Sequence, residues 1–428
     1  MGASSCAASS SPRTRPAPDG SASEVRTLSG TFLEPPVPDR SASGRIAVVG
    51  VGETDYGHDY RAARAGGPGY VAPDAVTLGR RAFERALGDS GLRREEVDGL
   101  CASFPYGGPD PAAFAAALGL APRHVMAGGG MMPLLPAANA LAAGSCRTMA
   151  VVHALPSRAL GRQYGGQTYG GSGRDSYYYY HPWGWSSQAA HWAFMFTSYA
   201  ATYGVTEEDL GAVAVTLRAH AARNPNATMR APLFLEDYLA SRYVVRPMRL
   251  LDLCLVNDGA VCVILAAADR ARDLRHAPVL LAGWAAARVS HSKMRAMALE
   301  WLHPQLAAAG RAALGMAGVT VADVDHFEGY DASTIHLVCQ LEGYGFAERG
   351  QGLAFWKEGH TEIGGTIPTN TGGGMLSEAY LQGWNLLAEA VRQLRGEAGA
   401  RQVDGAEVSL FSFATTESAH PVVLTRGT

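Results

Sequence analysis

The chain has no CxxC pair, and its six cysteines (6, 101, 146, 254, 262 and 339) show no metal-type spacing. That excludes a zinc ribbon of its own and a disulfide framework, and reads as reduced, mostly buried thiols of a cytoplasmic protein. It also has no apolar run of the ~18–20 residues that a membrane span needs. Charge is sparse, 18% of residues, and nearly balanced at a net −3, so net charge draws neither nucleic acid nor an anionic membrane. What is plentiful is hydrophobic surface, 47% of 428 residues. That is ample for a large core in two or three domains.

The first 43 residues are Ser, Ala, Pro and Arg rich with few aromatics, and read as a disordered tail that cannot bury enough apolar surface to order itself. They lack the apolar segment of a secretory signal. Folded sequence begins at Arg45-Ile-Ala-Val-Val-Gly-Val-Gly52, a buried strand closed by Gly-x-Gly. The motif fails as a dinucleotide fingerprint, because Glu53 follows where a pyrophosphate would sit.

Ala75 to Gly91 has helical periodicity, with Ala75, Leu78, Ala82, Phe83, Ala86 and Leu87 on one face. A turn ending Glu96-Val97-Asp98 follows, then the strand-like Gly99–Phe104. The same order recurs later: an Ala/Leu helix (Ala307–Ala317), a turn ending Asp323-Val324-Asp325, and a strand from His326. A whole half is duplicated, rather than a short solenoid repeat. Between these segments lie a Gly-rich turn (Val125–Pro133), an uncharged helix (Leu134–Ala143), a strand (Thr148–His153) and an aromatic loop (Gly161–Trp185). That loop reads equally as an interface or lid and as an ordered surface loop. Helices at Gln188–Tyr203 and Glu207–Ala222 and a strand at Ala260–Leu265 follow.

The stretch from Asp325 to Glu389 carries two tyrosines, Tyr330 and Tyr380, each at a Gly-rich turn between a strand-like and a helix-like run. Such junctions point side chains into clefts. Asp331 beside Tyr330 can orient a phenol or cap the helix starting near Ser333. Asn370 can hold its turn through its side-chain amide. The Gly372-Gly373-Gly374 run suits close backbone approach, to a ligand or to a neighbouring strand. His336 and Cys339 read as core.

Asn224-Pro-Asn-Ala, Ser241-Arg242, Asp258-Gly259-Ala260, Asn370-x-x-Gly373-Gly374 and Arg401-Gln-Val, in that order, resemble the thiolase superfamily, and more narrowly its sterol-carrier-protein-type, lipid-transfer branch. The resemblance covers about 45–426. It implies an α/β fold: a five-layer αβαβα sandwich of two duplicated halves (44–275 and 276–428), with a loop domain at about 160–250, usually as a homodimer. The departures are informative. Where such thiolases place their nucleophilic cysteine, this chain has Ala127-Gly-Gly-Gly130. Where the Gly-His-Pro histidine belongs stands Tyr380. The C-terminal cysteine segment, Ser412 to His420, contains no cysteine, although His420 could reach the pocket. Tyr330-Asp331-Ala332-Ser333-Thr334 and Ser377-Glu378-Ala379-Tyr380 closely resemble the turns of thiolase-like aldolases of steroid side-chain degradation.

Without a thiolate, acyl transfer through an acyl-cysteine is closed. The resemblance implies (retro-)aldol chemistry on a 3-hydroxyacyl-CoA, with Tyr330 and Tyr380 as acid and base. Coenzyme A is then a thioester substrate, with no covalently bound cofactor and no metal. Asn370, Gly373 and Gly374 would sit at the coenzyme, and Arg242 and Arg246 would meet its phosphates or make ordinary ion pairs. The resemblance further implies a separate zinc-ribbon/OB-fold partner protein. Two alternatives stay open: a subunit of an acyltransferase or condensing complex, with coenzyme A or a carrier protein bearing the thioester, and a silent acyl-binding scaffold.

Overall fold

The structure, a computed structural model, describes residues 39–67, 70–128, 133–161, 181–183, 185, 187–288 and 299–427. Most of the expected tail and of the aromatic loop, and the centre of the Gly-rich turn where a thiolase nucleophile would stand, lie outside the described residues. The end of the expected tail corrects that reading. Arg40–Ala42 form a 3-10 turn, Arg40 Nε donates to Gly315 O (3.0 Å), and Ser43 Oγ donates to Ala282 O (2.6 Å).

The first half runs β1 (Ile46–Glu53), α1 (Tyr56–Ala65), α2 (Ala75–Ser90), β2 (Gly99–Ser103), α3 (Pro111–Ala117), β3 (His124–Ala127), α4 (Leu134–Ala142) and β4 (Thr148–Pro156). An inserted segment carries α5 (Gln188–Tyr203), α6 (Glu207–Arg223), α7 (Leu235–Ala240) and the hairpin β5 (Tyr243–Val245) and β6 (Met248–Arg249). Next come β7 (Asp258–Ala267), α8 (Ala268–Ala271), β8 (Val279–Trp284) and β9 (Ala287–Arg288). The second half continues with α9 (Leu299–Ala317), β10 (His326–Gly329), α10 (Thr334–Tyr344), α11 (Gly352–Lys357), α12 (Gly374–Ser377), α13 (Trp384–Arg395), β11 (Val408–Ala414) and β12 (Ser418–Arg426). Among the described residues, no helix is long and apolar enough to cross a membrane.

Ten strands join in the order β10-β11-β12-β8-β1-β7-β4-β2-β3, with β9 beside β12. The halves meet edge to edge at β1 and β8, where Ala47 faces Leu280 and Val48 faces Val279. Strand alternation sorts the core. Ala260, Cys262, Ile264 and Ala266 of β7 face α2 and α3, whereas Val261, Val263 and Leu265 face the side of α4 and α13. Helix α13 packs on strands of both halves and so forms, with α4, the middle layer; α2 with α3 and α9 with α10 form the outer ones. Five of the six predicted apolar residues of α2 are buried. The Gly-x-Gly of β1 has its explanation in that helix. A Cβ on Gly50 would lie 2.5 Å from Ala86 O, and one on Gly52 2.1 Å from Ala82 O, so the glycines let α2 press onto the strand.

The duplication is visible in detail. Asp98 Oδ1 accepts from Arg147 and Thr148 N (2.8 and 2.9 Å), fastening the start of β4 beside β2. Asp325 Oδ2 accepts from Glu407 and Val408 N (2.9 Å each), fastening β11 beside β10.

Candidate active site

β10 is a short strand, buried along its length, that ends at Gly329 and delivers Tyr330 into the interior. Tyr380 arrives from the opposite side, in the turn between α12 and α13. Both rings are buried, and their hydroxyls stand 3.5 Å apart. The two phenols singled out in the sequence therefore meet.

Three buried carboxamides set this meeting. Asn370, itself at φ +50°, accepts from Gly329 N (2.7 Å) and donates to Gly329 O (2.9 Å). Gln340, on α10, accepts from Tyr330 N (3.1 Å) and donates to Tyr330 O (2.7 Å). Asn257, just before β7, accepts from Tyr380 N (2.6 Å). A buried amide that uses both its oxygen and its nitrogen pins a peptide group at no ionic cost. Of the three, only Asn370 was legible beforehand. Gln340 and Asn257 lie in apolar helical and loop sequence that carries no motif.

Asp331 corrects one expectation. It does not cap α10; Ser333 does, accepting from His336 N. Asp331 instead accepts from Met375 N (2.9 Å) and Leu376 N (3.2 Å), joining the Tyr330 turn to α12 and hence to the turn bearing Tyr380. Burial pushes its carboxyl up to about 8, although those backbone donors pull the other way. The glycines expected at a cofactor serve the chain itself. Gly374 (φ +62°) has no room for a Cβ, which would fall 2.1 Å from Asp331 Oδ2, and one on Gly373 (φ +102°) would fall 2.5 Å from Ala221 Cβ. Asn370 is likewise occupied by Gly329.

Around Tyr330 the walls are aromatic. Phe413 meets it edge-on at 4.8 Å between centroids, and His336 at 6.1 Å. His336 stacks on Trp192 (4.8 Å), and burial pushes it down to about 3, so it is neutral. Burial raises the Tyr330 phenol above the ordinary tyrosine range, with Cys254, Tyr106 and Asp331 adding to the effect and the Tyr380 hydroxyl opposing it. Cys254 and Tyr106 are thus neighbours of the phenol that sequence reasoning missed. Cys254 sits where the loop before β7 crosses the Tyr330 turn, donating its N–H to Ala332 O (3.2 Å).

Three predicted residues stand apart. His420 pairs across β11 and β12 with Phe413, whose ring lies between it and Tyr330. Arg242 and Arg246 are exposed beside β5, Arg246 lying over the Tyr243 ring at 4.5 Å. Their hairpin is tied to the site indirectly: Asp252 accepts from Arg249 N (2.7 Å), Tyr238 Oη (2.9 Å) and Thr334 Oγ1 (2.8 Å).

None of the described cysteines is an activated thiol. Burial raises Cys146 to about 11 and Cys101 to about 12, and shifts Cys254, Cys262 and Cys339 the same way.

A duplicated, sandwiched α/β fold with its polar side chains gathered where strands give way to helices is the frame of the thiolases. Residues 286–425 match the family described as thiolase C-terminal domain-like. The 17-hydroxy-3-oxo-4-pregnene-20-carboxyl-CoA lyase of Mycobacterium tuberculosis is 34% identical over 392 residues, 87% of this chain and 97% of that protein. The steroid side-chain-cleaving aldolase of Thermomonospora curvata is 33% identical, over 82% of this chain and 91% of its own. Among solved structures, the Ltp2-ChsH2(DUF35) aldolase superposes with a TM-score of 0.78 at 30% identity, covering 90% of this chain and 98% of that one. The chain belongs to the thiolase superfamily, in its branch of thiolase-like aldolases, and is an enzyme of that kind.

Proposed function

We propose that the chain is a carbon–carbon lyase that cleaves, or in reverse forms, the C2–C3 bond of a 3-hydroxyacyl-CoA by a proton relay through Tyr380 and Tyr330. The observation that carries this is the 3.5 Å contact of two buried phenols, in a family whose members are named for lyase and aldolase activity on steroid side chains and a CoA ester. A buried Tyr330 that holds its proton is a poor base, so a scheme needing a free phenolate fits badly. A relay needs none. Tyr380 takes the 3-hydroxyl proton and passes its own across to Tyr330. Tyr330 gives its proton to C2 as the C2–C3 bond breaks. A ketone or aldehyde leaves, the shortened thioester gains the C2 proton, and both phenols end as they began.

The exposed Arg242 and Arg246 suit the coenzyme phosphates, which arginine binds well. The neighbour's paired name, Ltp2-ChsH2(DUF35), supports a two-component assembly, and we include a separate zinc-ribbon/OB-fold partner and a homodimer in the proposal. An acyl-cysteine route has no activated thiol to start from among the described residues.

The test is incubation of the chain, alone and with its partner, with a 3-hydroxyacyl-CoA, followed by detection of the carbonyl product and the shortened thioester. Tyr380→Phe and Tyr330→Phe should each lower turnover by about 10²–10⁴ with the thermal transition unchanged. Full turnover in both variants removes the relay. Loss of activity on thiol blocking favours the acyltransferase alternative.

A further inference from the structure

Glu378 lies directly after α12, two residues before Tyr380, and is buried. Neither the phenol relay nor the three carboxamide clamps involve it. Its carboxyl is nonetheless a joint at which three parts of the chain meet. Asn224, at the end of α6, donates from Nδ2 to Glu378 Oε1 (2.7 Å) and to Gly372 O (2.9 Å). Asn385, in the first turn of α13, donates from Nδ2 to Glu378 Oε2 (2.8 Å). The main chain adds two bonds: Thr228 N donates to Glu378 O (3.0 Å) and Met229 N to Ser377 O (2.9 Å). The Asn224-Pro-Asn-Ala segment is thus fastened to the Tyr380 turn by side chain and backbone together.

These bonds stop just short of the phenol. Glu378 fixes the chain two residues before Tyr380, Asn257 holds the Tyr380 N–H itself (2.6 Å), and Ala379 between them is buried. A tyrosine side chain carries any tilt of its backbone outward to the hydroxyl, and the 3.5 Å contact with Tyr330 is made at that far end. A reacting group misplaced by about 1 Å can lose about 10²-fold in rate. The surroundings of the carboxyl favour the neutral acid. Burial, then Glu53 of β1 and Glu389 of α13, push it well above the ordinary carboxylate range, while Asn385 and Arg401 oppose them. Asn385 Oδ1 is buried with no hydrogen-bond partner among the described residues. Turning that amide over offers Oδ1 to a proton on Glu378, or to the N–H of a glutamine in its place.

We infer that Glu378 is a positioning residue: hydrogen-bonded between Asn224 and Asn385, it aims the Tyr380 hydroxyl at Tyr330 without touching the substrate. The role rests on the lyase reading of the phenol pair, so its test pairs turnover with a signal from Tyr380 that needs no turnover. Hydrogen bonding carries the role, and charge does not: both partners of the carboxyl are neutral carboxamides. Glutamine is therefore the conservative replacement, and leucine, of similar size, removes the joint.

The experiment follows cleavage of a 3-hydroxyacyl-CoA by the full-length chain, alone and with its partner. In parallel it records the NMR signal of Tyr380 in chain isotopically labelled at tyrosine Cζ, assigned by its absence from Tyr380→Phe. Glu378→Leu should lower kcat by about 10–10²-fold with KM within about twofold, and should shift the Tyr380 signal. Glu378→Gln should stay within about fivefold of wild type and leave the signal in place. In a Tyr380→Phe background, Glu378→Leu should lower turnover by less than a further factor of about two, because the pair acts as a unit. Should Glu378→Leu fail to fold, Asn385→Ala removes one arm of the joint and should lower kcat by about three- to tenfold, with the same silence in the Tyr380→Phe background. Wild-type kcat in folded Glu378→Leu overturns the inference. So does a glutamine variant as impaired as the leucine one, or a loss that persists undiminished without the Tyr380 hydroxyl. If the wild type cleaves nothing, the lyase reading fails and the Tyr380 signal decides alone: a shift with leucine and none with glutamine upholds the positioning role, and no shift with leucine overturns it.

Discussion

Asp98 in the first half and Asp325 in the second do the same work: each follows a 3-10 turn and a valine, and each collects two backbone N–H groups from the start of a neighbouring parallel strand. Beyond that joint the halves diverge. In the first, β2 ends at Ser103, whose Oγ stands 2.9 Å from Nδ1 of His153 within the neighbouring β4, and His153 stacks on Trp384. In the second, β10 ends at Gly329 and leads into Tyr330, which meets Tyr380. One scaffold, used twice, supports packing in one copy and a phenol pair in the other. The difference shows that the strand-end positions are free to change once the aspartate joint holds the strands, as expected when function resides in sites placed on a fold.

The largest way to break this contrast is Asn370→Ala. It strips the buried N–H and C=O of Gly329 of their partners, at about 1–3 kcal/mol each, and turnover should fall with stability. Unchanged denaturation midpoint and turnover would show that the carboxamide clamps are dispensable. Next is Asp331. Burial pushes its carboxyl up to about 8 in the folded chain, against 3.8 for a free aspartate side chain. The folded chain holds the extra proton between those limits, so this group makes stability fall as pH rises from about 4 to 8, and level off above. Asp331→Asn, which mimics the protonated form, should show a shallower decline in Tm over that window; parallel curves would refute the assignment. A smaller effect separates the halves directly. Asp98→Ala and Asp325→Ala should each cost about 1–2 kcal/mol in urea unfolding, but only Asp325→Ala should lower turnover, because β10 carries Tyr330. Equal turnover losses would erase the contrast. The smallest effect is expected at His420: with Phe413 between it and Tyr330, His420→Ala should change kcat by less than about twofold.

Much of this was legible in the sequence because it repeats or is periodic. The recurring acid-Val-Asp turn announced the duplication, and the apolar stripe from Ala75 to Ala86 announced α2 and its buried face. The two tyrosines were legible through the turns around them. What was not legible depends on long-range closure. Asn257 reaches Tyr380 across 123 residues, Asp331 finds Met375 rather than its own helix, and Tyr106 comes to Tyr330 from the other half. Local pattern carries no trace of such partners, and the Gly-x-Gly of β1 shows the converse: a motif whose cause, helix α2 pressing on the strand, lies elsewhere in the chain.

The three amide clamps have one further consequence. Asn257, Gln340 and Asn370 do not titrate, so these clamps on the two phenols carry no charge to gain or lose between acid and alkali, and a titrating joint beside them is Asp331. Below the titration of Asp331, at about 8, nothing in these joints changes charge, and the two phenols stay in register. On the proposed relay, a pH–rate curve in that range reports the proton inventory of Tyr330 and Tyr380, and a break near 8 reports Asp331.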